Sequence, residues 1–74
     1  MNPARMSKIE EAMQGLKKDM SIVLVTNNVK QASRTSDRTA FLLMGRLVEL
    51  GETGQIFTSP KAQKTADYVS GRFG

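Results

Sequence analysis

The run Ile22-Val23-Leu24-Val25 restricts the fold more than any other stretch of this chain. Four consecutive apolar residues, three of them β-branched, suit a strand covered on both faces, as in a parallel sheet. The run is too short for a buried helix. It stops at Thr26-Asn27-Asn28. A polar pair at the end of a buried strand marks the mouth where α/β proteins bind ligands. A strand that needs cover on both faces calls for helices on either side, so the chain reads as α/β.

The neighbouring segments supply those helices. Met6, Ile9, Met13 and Leu16 recur at spacings of three and four, one face of an amphipathic helix, and the stripe reads as core packing. Ser7 and Glu10 have capping-box spacing, or the helix begins at Pro3 with Asn2 as its cap. Gly15 weakens its interior, and Asp19 falls just past its end. After the apolar run, Asn27 or Asn28 caps a second helix with Val29, Ala32 and Ser36 inward, ended by Asp37 and Arg38.

Residues 39–44 read as a strand, Gly45 as a turn and residues 46–50 as the returning strand, with Gly51 ending the hairpin. Thr53 then caps a short helix carrying Ile56 and Phe57, which Ser59-Pro60 terminates. Residues 62–69 form a last helix with Tyr68 and Val69 inward, and residues 70–74 a tail. The expected order is α-β-α-β-hairpin-α-α. Its first β-α-β resembles one unit of a doubly wound sheet, whose isolated strand edges would be unpaired. The chain of 74 residues therefore reads as one domain at most, and as the end of a larger protein.

The chemistry is sparse. The chain has no Cys and no His, which excludes disulfides, thiolate nucleophiles, imidazole chemistry and Cys/His zinc sites. No apolar run approaches the roughly 20 residues of a membrane span. The net charge is +4, but Lys17-Lys18 is the one adjacent basic pair and no basic-aromatic interleaving appears, so no nucleic-acid partner is expected. There is neither G-x-x-x-x-G-K-[ST] nor G-x-G-x-x-G, and Gly45, Gly51 and Gly54 sit in or near the hairpin. No strand ends in Asp-Glu. Glu10 and Glu11 point about 100° apart on a helix and form no acid-base pair; they read as a solvated face, with Glu10 also capping. Ser33, Ser36 and Ser70 have no adjacent base. No metal site and no active site is legible in these residues alone.

One resemblance adds to this. The segments "KIEE", "IVLVTNN", "QASRTSDRTAF", "GRLVELGETGQIF" and "DYVSGRFG" occur in this order along the chain. In this order they resemble the C-terminal end of the ATP-binding subunit of bacterial phosphate-importing ABC transporters. There a helix leads to a strand ending "VTHN", followed by a "QAxRxSDRTAF" segment, a "GxLVExGxTxxIF" hairpin and helix, and a closing "DYxxGRFG". The resemblance covers essentially the whole chain and implies the C-terminal part, from the D-loop onward, of a P-loop ABC ATPase domain over residues 1–74. The phosphate-binding loop, the signature motif and the strand with the catalytic Glu would all precede Met1.

Carried over position by position, the D-loop pattern "LDP" falls on "MNP", so Asn2 occupies the aspartate position. The switch histidine of "VTHN" falls on Asn27, which is either a switch residue in altered form or a helix cap beside Asn28. The resemblance implies ATP and Mg as cofactors of the family, with none expected for this chain alone. It implies the remainder of the ATPase domain, the transporter's membrane subunits and a homodimeric mate as partners. It places the family in the cytoplasm, peripheral to the inner face of the cell membrane. The chain by itself is expected to be inactive. The alternative is a stand-alone interaction module that pairs an exposed strand with a full-length ATPase or an adaptor.

Overall fold

The computed structural model describes the backbone of residues 3–71 and the side chains of residues 7–71. Six elements follow in order: α1 (Pro3–Leu16), α2 (Val29–Thr35), β1 (Arg38–Leu43), β2 (Arg46–Glu52), α3 (Thr53–Thr58) and α4 (Gln63–Val69). The chain is a small α/β structure built on a two-stranded antiparallel sheet, β1-β2. Every expected element is present except the first strand, and boundaries move by a few residues. Asn2 and the "RFG" end lie outside the described residues.

The missing strand is the main correction. Residues 21–26 have no regular structure. A strand exists only as one side of a hydrogen-bonded ladder, and among the described residues the hairpin is the only sheet. Val23 and Val25 are 89% and 92% exposed, although their type and spacing ask for burial. The apolar stripe of α1 is corrected in the same way. Ile9 and Leu16 are exposed and Met13 is half-buried at the edge of a groove, because no element among the described residues covers the whole of that face. The accessible surface is 5784 Å², against about 4500 Å² for a compact protein of this mass.

The hairpin organises what core there is. Arg38 pairs with Glu52, Thr39 with Gly51, Ala40 with Leu50, Phe41 with Glu49, Leu42 with Leu47 and Leu43 with Arg46. The register shifts between Phe41 and Leu42, leaving Val48 as the extra residue of a bulge. The strand therefore runs through Gly51 to Glu52 and does not stop at Gly51 as its glycine suggested. Gly51 has a different task. A Cβ there would stand 2.6 Å from Gln55 Oε1 and 3.6 Å from Ile56 Cδ1, so its bare backbone lets α3 fold back closely.

Ile56 on α3 is fully buried, and so is Thr65 on α4. Phe41 and Tyr68 stack at a ring-centroid distance of 4.7 Å, joining β1 to α4. Thr53 is not the α3 cap. Glu52 holds that place without a side-chain bond, and Thr53 begins the helix with its hydroxyl turned to another use. Its Oγ1 lies 2.9 Å from Ser36 Oγ and 2.8 Å from Thr39 Oγ1, and those two lie 3.0 Å apart. Ser36 Oγ also donates to the Ala32 carbonyl at 2.6 Å. Three hydroxyls thus fasten the end of α2, the start of β1 and the start of α3 to one point.

The hairpin turn is Met44-Gly45, with φ of 51° and 78°. A two-residue loop with both φ positive matches the twist of the flanking strands. Gly45 adopts this freely, whereas Met44 pays a steric cost of about 1 kcal/mol. Met44 is also 94% exposed, so its side chain gains little in return. Met44→Asn is expected to raise stability by about 0.5–1 kcal/mol, measured as an increase in the urea midpoint at unchanged slope. An unchanged or lower midpoint counts against this account of the turn.

Candidate functional site

The strand mouth expected at Asn27 is a short turn with two locks. The Asn28 amide donates to Thr26 Oγ1 at 3.0 Å. Asn28 Oδ1 accepts the Gln31 amide at 3.1 Å, so Asn28, not Asn27, is the cap of α2. Asn28 has the extended backbone (φ −89°, ψ 101°) that an N-cap needs. Between the two locks Asn27 is exposed, and its side chain makes no hydrogen bond among the described residues. The switch and cap readings of this pair therefore fall on different residues. Helix α2 ends at Thr35 with Ser36 as its C-cap, two residues before the Asp37-Arg38 end expected from sequence.

Beneath this turn lies an open groove of about 780 Å³, walled by α2, β1 and α4 and by the irregular segment before Asn27. Ile22, Leu24, Val29, Phe41 and Tyr68 line it, and its surface is mainly apolar. No group of three or more His, Cys, Asp or Glu that could hold a metal exists among the described residues. No helix among them is long and apolar enough to cross a membrane. The described residues supply neither a glycine-rich cradle nor a cluster of three or more acids for Mg.

Glu10 departs from the solvated, capping role expected of it. Arg34 grips it with both arms of the guanidinium, Nε to Oε1 at 2.8 Å and Nη2 to Oε2 at 2.7 Å. Gln31, itself buried, reaches Oε2 at 3.5 Å. The Arg34 hydrogen bonds hold the Glu10 carboxyl below the usual carboxylate range against the opposing effect of desolvation, and the same contact raises Arg34. Glu11 stays exposed, so the two acids are separated as expected.

Glu49 carries the most perturbed carboxylate, and sequence reasoning missed it. It accepts the Lys61 amide at 2.8 Å, the Ala62 amide at 3.0 Å and Gln55 Nε2 at 3.2 Å. The amides of Lys61 and Ala62 are the chief reason its pKa falls to about 2, with Gln55 helping and desolvation opposing. Thr65 helps least, and its buried hydroxyl makes no hydrogen bond of normal geometry. The signal was available: Glu49 stands opposite Phe41 on the half-buried side of β2, and Ala62, the N-cap of α4, has no capping side chain. The arrangement anchors the link between α3 and α4.

The chain is similar along all 74 residues to phosphate import ATP-binding proteins. It is 60% identical to PstB 2 of Bacillus subtilis, covering 28% of that protein. It is 57% identical to the PstB of Salinibacter ruber and 54% identical to PstB 3 of Streptococcus pneumoniae, covering 30% of each. The chain thus spans about three-tenths of the length of the curated relatives it matches. The resemblance expected from the sequence holds over the whole chain. No family model and no solved structure matches it. Neither the geometry nor these relatives support a stand-alone module that pairs with a full-length ATPase.

A carboxylate depressed in the folded state stabilises above its unfolded pKa, and that contribution is lost as pH falls through the folded value. For Glu49 the interval runs from the model-peptide value of 4.5 down to about 2. Glu49→Gln is expected to lower stability at pH 7, with the difference from the parent shrinking across that interval. Urea unfolding at pH 7, 4 and 2.5 checks this, and a difference independent of pH would remove the anchoring role.

Proposed function

We propose that this chain forms the C-terminal part of the ATP-hydrolysing subunit of a phosphate-importing ABC transporter, from the D-loop position at Asn2 onward. One observation carries the reading. Residues 22–25 are apolar and largely exposed, and they lead straight into a doubly locked turn that projects Asn27. That is the layout of a central strand whose sheet neighbours belong to a larger P-loop domain, with a polar residue delivered at its mouth. The gap-free likeness to phosphate import ATP-binding proteins supports it.

In this reading the rest of the domain supplies the phosphate-binding loop, the signature motif, the catalytic Glu and the ligands of Mg. The working unit is a homodimer on the cytoplasmic face of the membrane, coupled to the transporter's membrane subunits. Phosphate passes through those subunits and does not touch this chain. The chain's own part is to complete the core and to present Asn27. An amide at that position donates a hydrogen bond but cannot become cationic, as a histidine can. Losing a charged or well-aimed transition-state donor commonly costs a hundredfold or more in rate.

The test is a full-length Bacillus subtilis relative in which this chain replaces the matching stretch. Asn27→His is expected to raise its ATP turnover about a hundredfold while leaving ATP affinity within about twofold. The 74-residue chain is expected to show no turnover by itself. Turnover by that chain that Asn27→Ala abolishes, or a chimera indifferent to Asn27→His, would refute the switch assignment.

A further inference from the structure

Helix α2 has seven residues, too few to hold itself in place without tertiary contacts. Its two ends are fastened differently. The C-terminal end is bound into the hydroxyl cluster of Ser36, Thr39 and Thr53. Along its length the helix leans on α1 through polar side chains, Gln31 in its first turn and Arg34 in its last. Glu10 takes hold of Arg34 and Gln31, residues one turn apart on α2. The backbone amide of that same Gln31 is the group that Asn28 caps.

The seam continues along one flank of α1. Gln14 Nε2 donates to the Thr35 carbonyl at 3.0 Å, and beyond the helix Lys17 pairs with Asp37 at 3.1 Å. Glu10, Gln14 and Lys17 are spaced as i, i+4 and i+7, roughly a quarter-turn from the apolar stripe by helical geometry. Glu10 is the least exposed charged partner in the seam, at 13% against 49% for Arg34. The Lys17–Asp37 pair is more open, at 41% and 74%, and contributes less for that reason. Contacts run without interruption from Glu10 to Gln31, to the Asn28 cap, to the projected Asn27.

We propose that Glu10 and Arg34 are positioning residues: their two-pronged ion pair at the last turn of α2, with Glu10 also reaching Gln31, holds this short helix against α1 as one body and so sets where its Asn28-capped start and Asn27 point. This rests on the reading of Asn27 as the switch position.

The experiment uses the full-length chimera described above, carrying Asn27→His for measurable turnover. The variants are Glu10→Arg, Arg34→Glu and the double charge swap. Each single variant is expected to speed hydrogen exchange at the Gln31 amide about tenfold and to lower kcat about tenfold, with ATP affinity within about twofold. The swap restores both. Unchanged exchange and kcat in the single variants overturn the proposal. So does a swap that rescues neither, or affinity that falls in step with kcat, since those mark a merely structural pair. An unsubstituted chimera that neither binds nor hydrolyses ATP refutes the transporter reading instead, and the exchange data then decide whether the pair fixes the α2 terminus.

Discussion

The fold turns on one carboxylate. Glu49 projects from the inner side of β2 and receives the amides of Lys61 and Ala62, the residues that lead into α4. Helix α4 has no side-chain cap of its own, and the link that leads into it is held by a group twelve and thirteen residues upstream of the amides it accepts. Once that link is held, Phe41 and Tyr68 can stack and Thr65 can be buried. Gln55 closes the arrangement by bonding both Glu49 and the Ser59 carbonyl, and Gly51 leaves the space in which α3 makes its return. The charge-assisted bonds are strong for their number, which suits a chain with a single fully buried aliphatic side chain among the described residues.

What the sequence made legible was local, and what it hid was long-range. The hairpin, the helices and the turn at Gly45 all follow from period, turn chemistry and caps within a few residues. Asn28 as a cap was one of two options, and the structure chose the one whose side chain reaches the third amide onward. Gly51 misled because a glycine in a strand can mean a bulge, a stop or a close approach, and only the position of Gln55 separates these. Thr53 misled because a hydroxyl at a helix start suits a cap, while two other hydroxyls from distant segments were there to bind it. Glu49 and the Glu10–Arg34 pair depend on partners 12 to 24 residues away, which no local window contains.

The strand at residues 22–25 is the opposite case. Its residues say what it should become, and the chain does not let it. A buried strand needs ladder partners on its edges and apolar cover on its faces, and this chain offers neither. The groove before Asn27, the open face of α1 and the outer face of the hairpin, with Leu42, Leu47 and Leu50 exposed, share one cause. Meanwhile three of the four buried residues are polar: Gln31, Thr53 and Thr65 beside Ile56. A domain that buries threonines while exposing valines has its internal joints made and its core faces unmet.

The division of labour at the turn follows from the same joints. Asn28 caps, Thr26 locks the turn from the other side, and Asn27 is left with no structural duty among the described residues. A residue with no bond to keep can be exchanged without harm to the fold, so stability places little constraint on what stands there. Amide against imidazole is then a difference in chemistry alone. The framework that aims position 27 is complete in this chain, from Glu10 and Arg34 through Gln31 to Asn28, whichever side chain it carries. The position is therefore one where a single substitution changes the chemistry on offer while the surrounding geometry stands.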